Sequence, residues 1–215
     1  MFEYLSSDHR QSKYYYHGCG TCETLSKILD SKKICTRKDL GLELKGGNGL
    51  FNGLEYISVC KKSYKKDNEQ EINGTVESFT SFICRGFGLI LSDDIRAEKT
   101  EIFKFDRYFT PYDIYKFVSE HSEKRWSNMF DEYQVKGSID IDKFKAVMLP
   151  IDRLEKGYIK FDSKYLSNIM NKIDKYNLDI VNSCDDRFSE LYESPDYNRD
   201  EQNSKIKKRV MKIIN

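Results

Sequence analysis

Hydrophobic and polar positions near the start of the chain predict a strand, a turn and a helix in succession. The aromatic run YYYH (14–17) is typical of a strand, and the GCGT that follows it is typical of a tight turn. Within ETLSKILDSKKI (23–34) the apolar residues recur at the i, i+3, i+4 spacing of a helix, for which Thr21 is a suitable N-cap.

Short apolar runs bounded by turn residues predict further strands. LEYISVC (54–60) and GLILS (88–92) have strand character, and DEYQVKG with FKAVMLP predicts a strand pair around a turn at 137–142. The segment GLELKGGNGLFNG (41–53) is rich in glycine and asparagine, which favours a loop. Pro111 is suited to the first turn of a helix in the charged and aromatic stretch 93–131, which follows the predicted strand GLILS.

Beyond about residue 150 the periodicity becomes helical. KYLSNIMNKIDKYNLDIV (164–181) and EQNSKIKKRVMKIIN (201–215) both place apolar residues at helical spacing. No internal repeat and no linker rich in proline or glycine separates these segments from the strand-rich part. We therefore predict an α+β protein with a strand-rich domain over 1–150 and a helical C-terminal extension over 151–215 packed on it.

Composition narrows the functional classes. The 215-residue chain has 36 Lys and Arg against 35 Asp and Glu, a net charge of +1, which disfavours a generic basic nucleic-acid-binding protein. Its 15 Tyr and 13 Phe can supply a substantial core. No apolar run approaches the roughly 20 residues of a membrane span, and the start resembles no signal peptide. We expect no membrane insertion, a cytoplasmic location and six reduced cysteines.

Cys19 and Cys22 form a CxxC motif with His17 close by. Zinc needs four ligands and the chain has no second pair at ligand spacing, so the metal signal is weak and we expect no metal. A CxxC at a helix N-terminus also suits thiol redox chemistry. A cysteine nucleophile paired with His9, His17 or His121 is a further hypothesis without a specific local signature. Buried thiols in a core are the simplest interpretation.

Three short motifs share a second pattern. The first is His17 and Gly18 in YYYHGC, the second is Tyr56 in NGLEYISVCKKSY, and the third is Glu132 in FDEYQVKGSI. Each has an ordinary structural interpretation when taken singly: a hydrogen-bonded strand histidine, a packed aromatic ring and a solvated strand-start carboxylate. Their order along the chain, one per predicted strand, is the more informative feature.

Together these motifs resemble the ADP-ribosyltransferase fold, in the diphtheria-toxin and poly-ADP-ribose-polymerase branch marked by His, Tyr and Glu on three strands. The resemblance covers residues 14 to about 150. It implies a core of two packed, mostly antiparallel sheets with flanking helices. Cys19 and Asp131 depart from the family pattern, which commonly has Ser or Thr after His-Gly and Asn before the Glu.

The resemblance implies transfer of ADP-ribose from NAD with release of nicotinamide. Glu132 would hold the nicotinamide ribose and stabilise the developing cation, and Tyr56 would stack on the pyridinium ring. His17 would bind the adenosine ribose and the backbone of Gly18 the carboxamide. Tyr64 would supply a second ring contact. NAD is thus the expected cosubstrate, and segment 41–53 would close over it.

A second alignment of the middle motif stays open. Ser58 in ISV could correspond to the Ser-Thr-Ser strand of the arginine-modifying branch, which has an arginine where this chain has His17. The His-Tyr-Glu interpretation is preferred, and Ser58 remains an alternative to Tyr56 as a donor-site residue.

We predict that residues 103–131, which mix aromatic and basic side chains, hold the acceptor. The near-zero net charge favours a protein acceptor over nucleic acid. A mono-ADP-ribosyltransferase toxin or effector is the leading hypothesis, acting in its own cytoplasm or in that of a host, with a host activator protein left open as a partner. The alternatives are modification of nucleic acid and a non-enzymatic protein-interaction module. The aromatic and basic side chains of 103–131 that would contact the acceptor are Arg107, Tyr108, Phe109, Tyr112, Arg125 and Trp126.

Overall fold

The computed structural model describes residues 10–42, 55–61, 63–64, 86–99, 132–185 and 187–214. Three predictions fall outside these residues. They are the loop over 41–53 from residue 43 onward, the helix that begins near Pro111, and the acceptor segment 103–131.

Eleven strands are found in the described part of the chain. They are β1 (Arg10–Gln11), β2 (Tyr15–Gly18), β3 (Lys33–Ile34), β4 (Tyr56–Cys60), β5 (Ser63–Tyr64), β6 (Gly88–Leu91), β7 (Ala97–Lys99), β8 (Glu132–Lys136), β9 (Ile139–Asp140), β10 (Phe144–Leu149) and β11 (Asp179–Asn182). Five α-helices accompany them. They are α1 (Cys22–Ser31), α2 (Ile151–Glu155), α3 (Ser163–Tyr176), α4 (Phe188–Glu193) and α5 (Arg199–Ile214).

Seven strands form one sheet in the order β11–β10–β6–β2–β4–β8–β7. Every neighbouring pair is antiparallel except β10 and β11, which are parallel. The pairs β1–β5 and β3–β9 form two short additional ladders. The α+β class and the mostly antiparallel pairing agree with the prediction, and the described strands form one seven-stranded sheet with two two-stranded ladders.

Two predictions about neighbouring elements are corrected by this topology. The segments DEYQVKG and FKAVMLP form β8 and β10, but these strands do not pair, because β6, β2 and β4 lie between them. The predicted helix over 164–181 ends at Tyr176, since Asn177 adopts the left-handed conformation that commonly terminates a helix. The remainder, LDIV, contributes to β11, which pairs with β10, so the predicted extension shares the sheet of the predicted domain.

Both faces of the sheet are covered. Alternate residues of β6 and β10 belong to two separate apolar clusters, which explains why GLIL and AVML are apolar without interruption. The larger cluster includes Leu25 and Leu29 of α1, Leu166 of α3 and Val210 of α5. The smaller one surrounds Tyr16 and includes Phe188 of α4. Among the described residues, no helix has the length and apolarity needed to cross a membrane.

The helix that follows β2 begins as the sequence predicts. The Thr21 hydroxyl accepts a hydrogen bond from the Thr24 backbone N–H at 3.1 Å, which satisfies one of the free donors of the first turn of α1. The helix ends at Ser31, where Lys32 takes a left-handed conformation (φ 57°). It therefore stops before Ile34, which belongs to β3.

Candidate functional site

The three motifs lie on three strands that are adjacent in the main sheet, β2, β4 and β8. His17 and Gly18 end β2, Tyr56 and Ser58 belong to β4, and Glu132 begins β8. Because β4 pairs with β2 on one side and with β8 on the other, His17 and Glu132, 115 positions apart in sequence, lie two strands apart in the sheet.

The register determines which of these residues are closest. Tyr16 is opposite Cys60, and Cys60 is opposite Glu132, so Glu132 lies on the rung next to His17. Tyr56 is opposite Lys136, at the other end of the β4–β8 ladder. Four residues of strand span about 13 Å, so Tyr56 and Glu132 can contact one dinucleotide only at well-separated points.

Ser58 lies nearer to Glu132 than Tyr56 does. Its register partner in β8 is Gln134, which is two residues, or about 7 Å along the strand, from Glu132. Tyr64 is in β5, opposite Arg10 of β1, and is therefore outside the main sheet. The backbone register thus places the strand positions of Gly18, Ser58 and Glu132 on one face of the sheet and His17, one residue out of step, on the opposite face, while Tyr64 is in a separate ladder.

The His17 ring connects β2 to β4. The regular ladder between the two strands has one register pair, Tyr16 with Cys60, and the next contact is a hydrogen bond of 2.9 Å between His17 Nδ1 and the Ser58 carbonyl oxygen. A carbonyl oxygen only accepts, so Nδ1 carries the hydrogen. In the neutral ring Nε2 is then left as an acceptor, which suits it to a hydroxyl group.

The protonation of His17 is set by its surroundings. Loss of water around the ring lowers its pKa from the ordinary 6.5, and the hydrogen bond to the Ser58 carbonyl opposes this only in part. His17 is therefore neutral at pH 7, with the tautomer fixed by Ser58. Residues 17, 18, 56 and 58 are all half-buried, so this group of residues reaches the protein surface.

Gly88 explains how β2 and β6 approach closely behind this site. It is the register partner of Gly18. A Cβ atom at Gly88 would lie 2.5 Å from the His17 carbonyl oxygen and 2.4 Å from Met148 Cε. The backbone that carries His17 can take its position only because residue 88 has no side chain. Its place in a core strand was predicted, but this role was not.

Gln134 is the second residue that sequence reasoning missed. It is 4 % exposed and occupies the β8 position between Glu132 and Lys136. Ser58 is its register partner in β4, so a buried amide residue stands opposite Ser58 in the sheet. Its only signal in the sequence was a polar residue in the otherwise strand-like EYQVK.

The cysteine hypotheses are disfavoured by burial. Cys19 and Cys22 are both buried, and desolvation raises the pKa of each thiol to about 12. Both therefore stay protonated near neutral pH, although nucleophilic attack, redox exchange and metal binding need the thiolate. Among the described residues, no group of three or more His, Cys, Asp or Glu side chains is arranged to hold a metal ion.

Comparisons of the chain with protein-family models, with curated proteins and with solved structures found no match. The features that bear on function are then those of the chain itself. They are the neighbouring strands β2, β4 and β8, the hydrogen bond between His17 and Ser58, and the thiols of Cys19 and Cys22, which burial keeps protonated.

Proposed function

We propose that this protein transfers ADP-ribose from NAD to an acceptor, a protein side chain in the first instance, and releases nicotinamide. The observation that carries the proposal is the arrangement of His17, Ser58 and Glu132 on the consecutive strands β2, β4 and β8, with the His17 ring hydrogen-bonded to β4. A site that grips a dinucleotide and also places a carboxylate needs side chains from separate strands brought to one region.

The proposed reaction needs little acid catalysis. The bond between ribose C1′ and the pyridinium nitrogen breaks, its electron pair stays on the nitrogen, and nicotinamide leaves as a neutral ring. The ribose then has oxocarbenium character, which a nearby carboxylate stabilises. Glu132 is the residue proposed for this role. The acceptor forms the new bond to C1′ and loses its proton to solvent or to Glu132.

Donor binding is assigned to the end of β2. Neutral His17 would offer Nε2 to a ribose hydroxyl, and the backbone N–H and C=O of Gly18 are assigned to the nicotinamide carboxamide. Ser58 is better placed by the register than Tyr56 to act beside Glu132, since its rung is two residues closer. Tyr56 would then contact the donor from the far end of β4.

The test is nicotinamide release from NAD, measured with a cell lysate as the source of acceptor. We expect the Glu132→Gln variant to lose about a hundredfold or more of the wild-type rate, because the amide carries no charge for the transition state. Glu98→Gln is the matched control, since Glu98 is an exposed carboxylate on the neighbouring strand β7. It should retain the wild-type rate.

Equal rates for wild type and Glu132→Gln would contradict the proposal. If no nicotinamide is released at all, the melting temperature with saturating NAD decides the matter. A ligand that binds only the folded state raises that temperature by mass action. An unchanged melting temperature would favour the non-enzymatic interaction module instead.

A further inference from the structure

An open groove of about 720 Å³ runs between the end of α3 and helix α5. On the α3 side it is lined by Asp174 and Asn177, and on the α5 side by Asp200 and several basic side chains. Helix α5 has six Lys or Arg and two Asp or Glu in its sixteen residues. The whole-chain charge of +1 therefore conceals one strongly basic helix. The basic residues that line the groove are Arg199, Lys207, Lys208 and Lys212.

Only part of this positive charge is neutralised within the protein. Arg199 pairs with Asp179, and Lys207 pairs with Asp174. In the portion of the chain that is described, Lys208 and Lys212 form no ion pair and both are exposed, and Glu155 of α2 is close enough to Lys212 to interact with it electrostatically. They are one helical turn apart, a spacing at which like charges destabilise a helix. An anion lying in the groove would relieve that repulsion.

A second group of lysines surrounds Tyr176, which does not line the groove and lies on the side of α3 nearer to α1. The ammonium groups of Lys175, Lys172 and Lys32 lie 5.7, 5.9 and 6.0 Å from the centre of the Tyr176 ring. Lys172 is paired with Asp30 at 2.7 Å, whereas Lys32 and Lys175 form no ion pair with any described residue.

Lys32 occupies a position that normally favours another residue type. It ends α1 in the left-handed conformation, where glycine or asparagine is usual because a side chain is strained there. At the end of α3 the same conformation is taken by Asn177. A lysine at this position of α1 places a further cation beside Tyr176 at a conformational cost.

We propose that one single-stranded nucleic acid binds across the end of α3, from Lys208, Lys212 and Met211 at the groove to Lys32, Lys175 and Tyr176 on the side nearer to α1. Its phosphates would interact with the lysines that form no ion pair. Its bases would contact the Tyr176 ring and the side chain of Met211, which is 47 % exposed. A basic groove combined with an aromatic ring is the arrangement that single-strand binding uses. The proposal does not depend on the transfer reaction.

A membrane surface fits this helix less well. Ile206 and Val210 of α5 are buried in the core, and Ile213 and Ile214 pack against it. The apolar face that an interfacial helix would insert between lipids is therefore already occupied. Only Met211 among the large apolar side chains of α5 is exposed.

The experiment measures binding of a fluorescein-labelled oligo(dT) of about 15 nucleotides by anisotropy, from about 50 to about 200 mM salt. Wild type should bind with an affinity that falls as salt rises, by about 0.7 log units per log unit of salt for each phosphate contacted. The double variant Lys208→Glu, Lys212→Glu should weaken binding by about tenfold or more. Lys175→Glu alone should weaken it severalfold.

The control is Lys160→Glu, Lys164→Glu, which changes the net charge by the same amount. Both residues are exposed, and Lys164 is near the start of α3, about 16 Å along the helix from Lys175. It should leave binding nearly unchanged, and thermal unfolding followed by circular dichroism should show all variants folded. Three results would overturn the proposal: no binding at low salt, equal weakening in the control, or equal competition by polyglutamate or anionic vesicles.

Discussion

At the scale of single residues, the proposed donor site depends on His17. Its sequence position suggested a strand histidine of either structural or functional use, and the structure gives it a defined tautomer through the 2.9 Å hydrogen bond to the Ser58 carbonyl. Loss of water lowers its pKa, so protonation is disfavoured at pH 7. One residue thus joins two strands and presents an acceptor nitrogen, which neither composition nor periodicity could have predicted.

Gly88 provides a test of the packing behind His17. We expect Gly88→Ala to destabilise the fold by about 1 to 3 kcal/mol, because the added methyl group meets the His17 carbonyl oxygen and Met148 Cε. Urea unfolding measures this change. Adding Met148→Leu should restore only part of the loss, since the His17 carbonyl belongs to the backbone and cannot move aside. Full recovery in the double variant would show that the backbone contact is unimportant.

At the scale of elements, sequence periodicity predicted β2, α1, β4, β6 and the strand character of β8 and β10. It failed where a decision depended on distant partners. The segment LDIV follows α3 without a break in apolar spacing, yet it becomes β11 because β10 offers it a parallel partner. In the same way β8 and β10 are close in sequence but pair with other strands, and a local turn signal could not reveal that.

Helix α5 protects the edge of the sheet at β11. The Ile180 backbone N–H donates to Asn203 Oδ1 at 2.9 Å, and Asn203 Nδ2 donates to buried Asp179 at 3.2 Å. The Asn203 side chain therefore supplies a hydrogen-bond acceptor to the edge strand β11 and a donor to the buried carboxylate of Asp179.

We expect Asn203→Ala to lower the free energy of unfolding by about 1 to 3 kcal/mol, because the Ile180 N–H and Asp179 each lose a partner. Gln202→Ala, at the adjacent half-buried position of α5, is the control and should cost little. Denaturant unfolding compares the two variants. Equal stability of both would mean that water replaces Asn203 without loss.

At the scale of the whole molecule, the three motifs lie on neighbouring strands only because β4 lies between β2 and β8. The sequence identified His17, Gly18, Ser58 and Glu132 as candidates, but not the register that favours Ser58 over Tyr56. Nor did it reveal that the net charge of +1 leaves α5 strongly basic. These properties arise from long-range pairing and surface placement, which local patterns do not encode.

The most direct measurement of the central proposal is an NMR titration of the His17 ring with NAD. The chain has three histidines, so the ring signals are few, and the signal missing from a His17→Asn variant identifies His17. The account predicts that this signal shifts and saturates as NAD is added at neutral pH. It also predicts that without NAD the signal titrates below the ordinary pKa of 6.5, so that binding weakens as acid protonates Nε2. A His17 signal that does not respond to saturating NAD would contradict the proposed donor site.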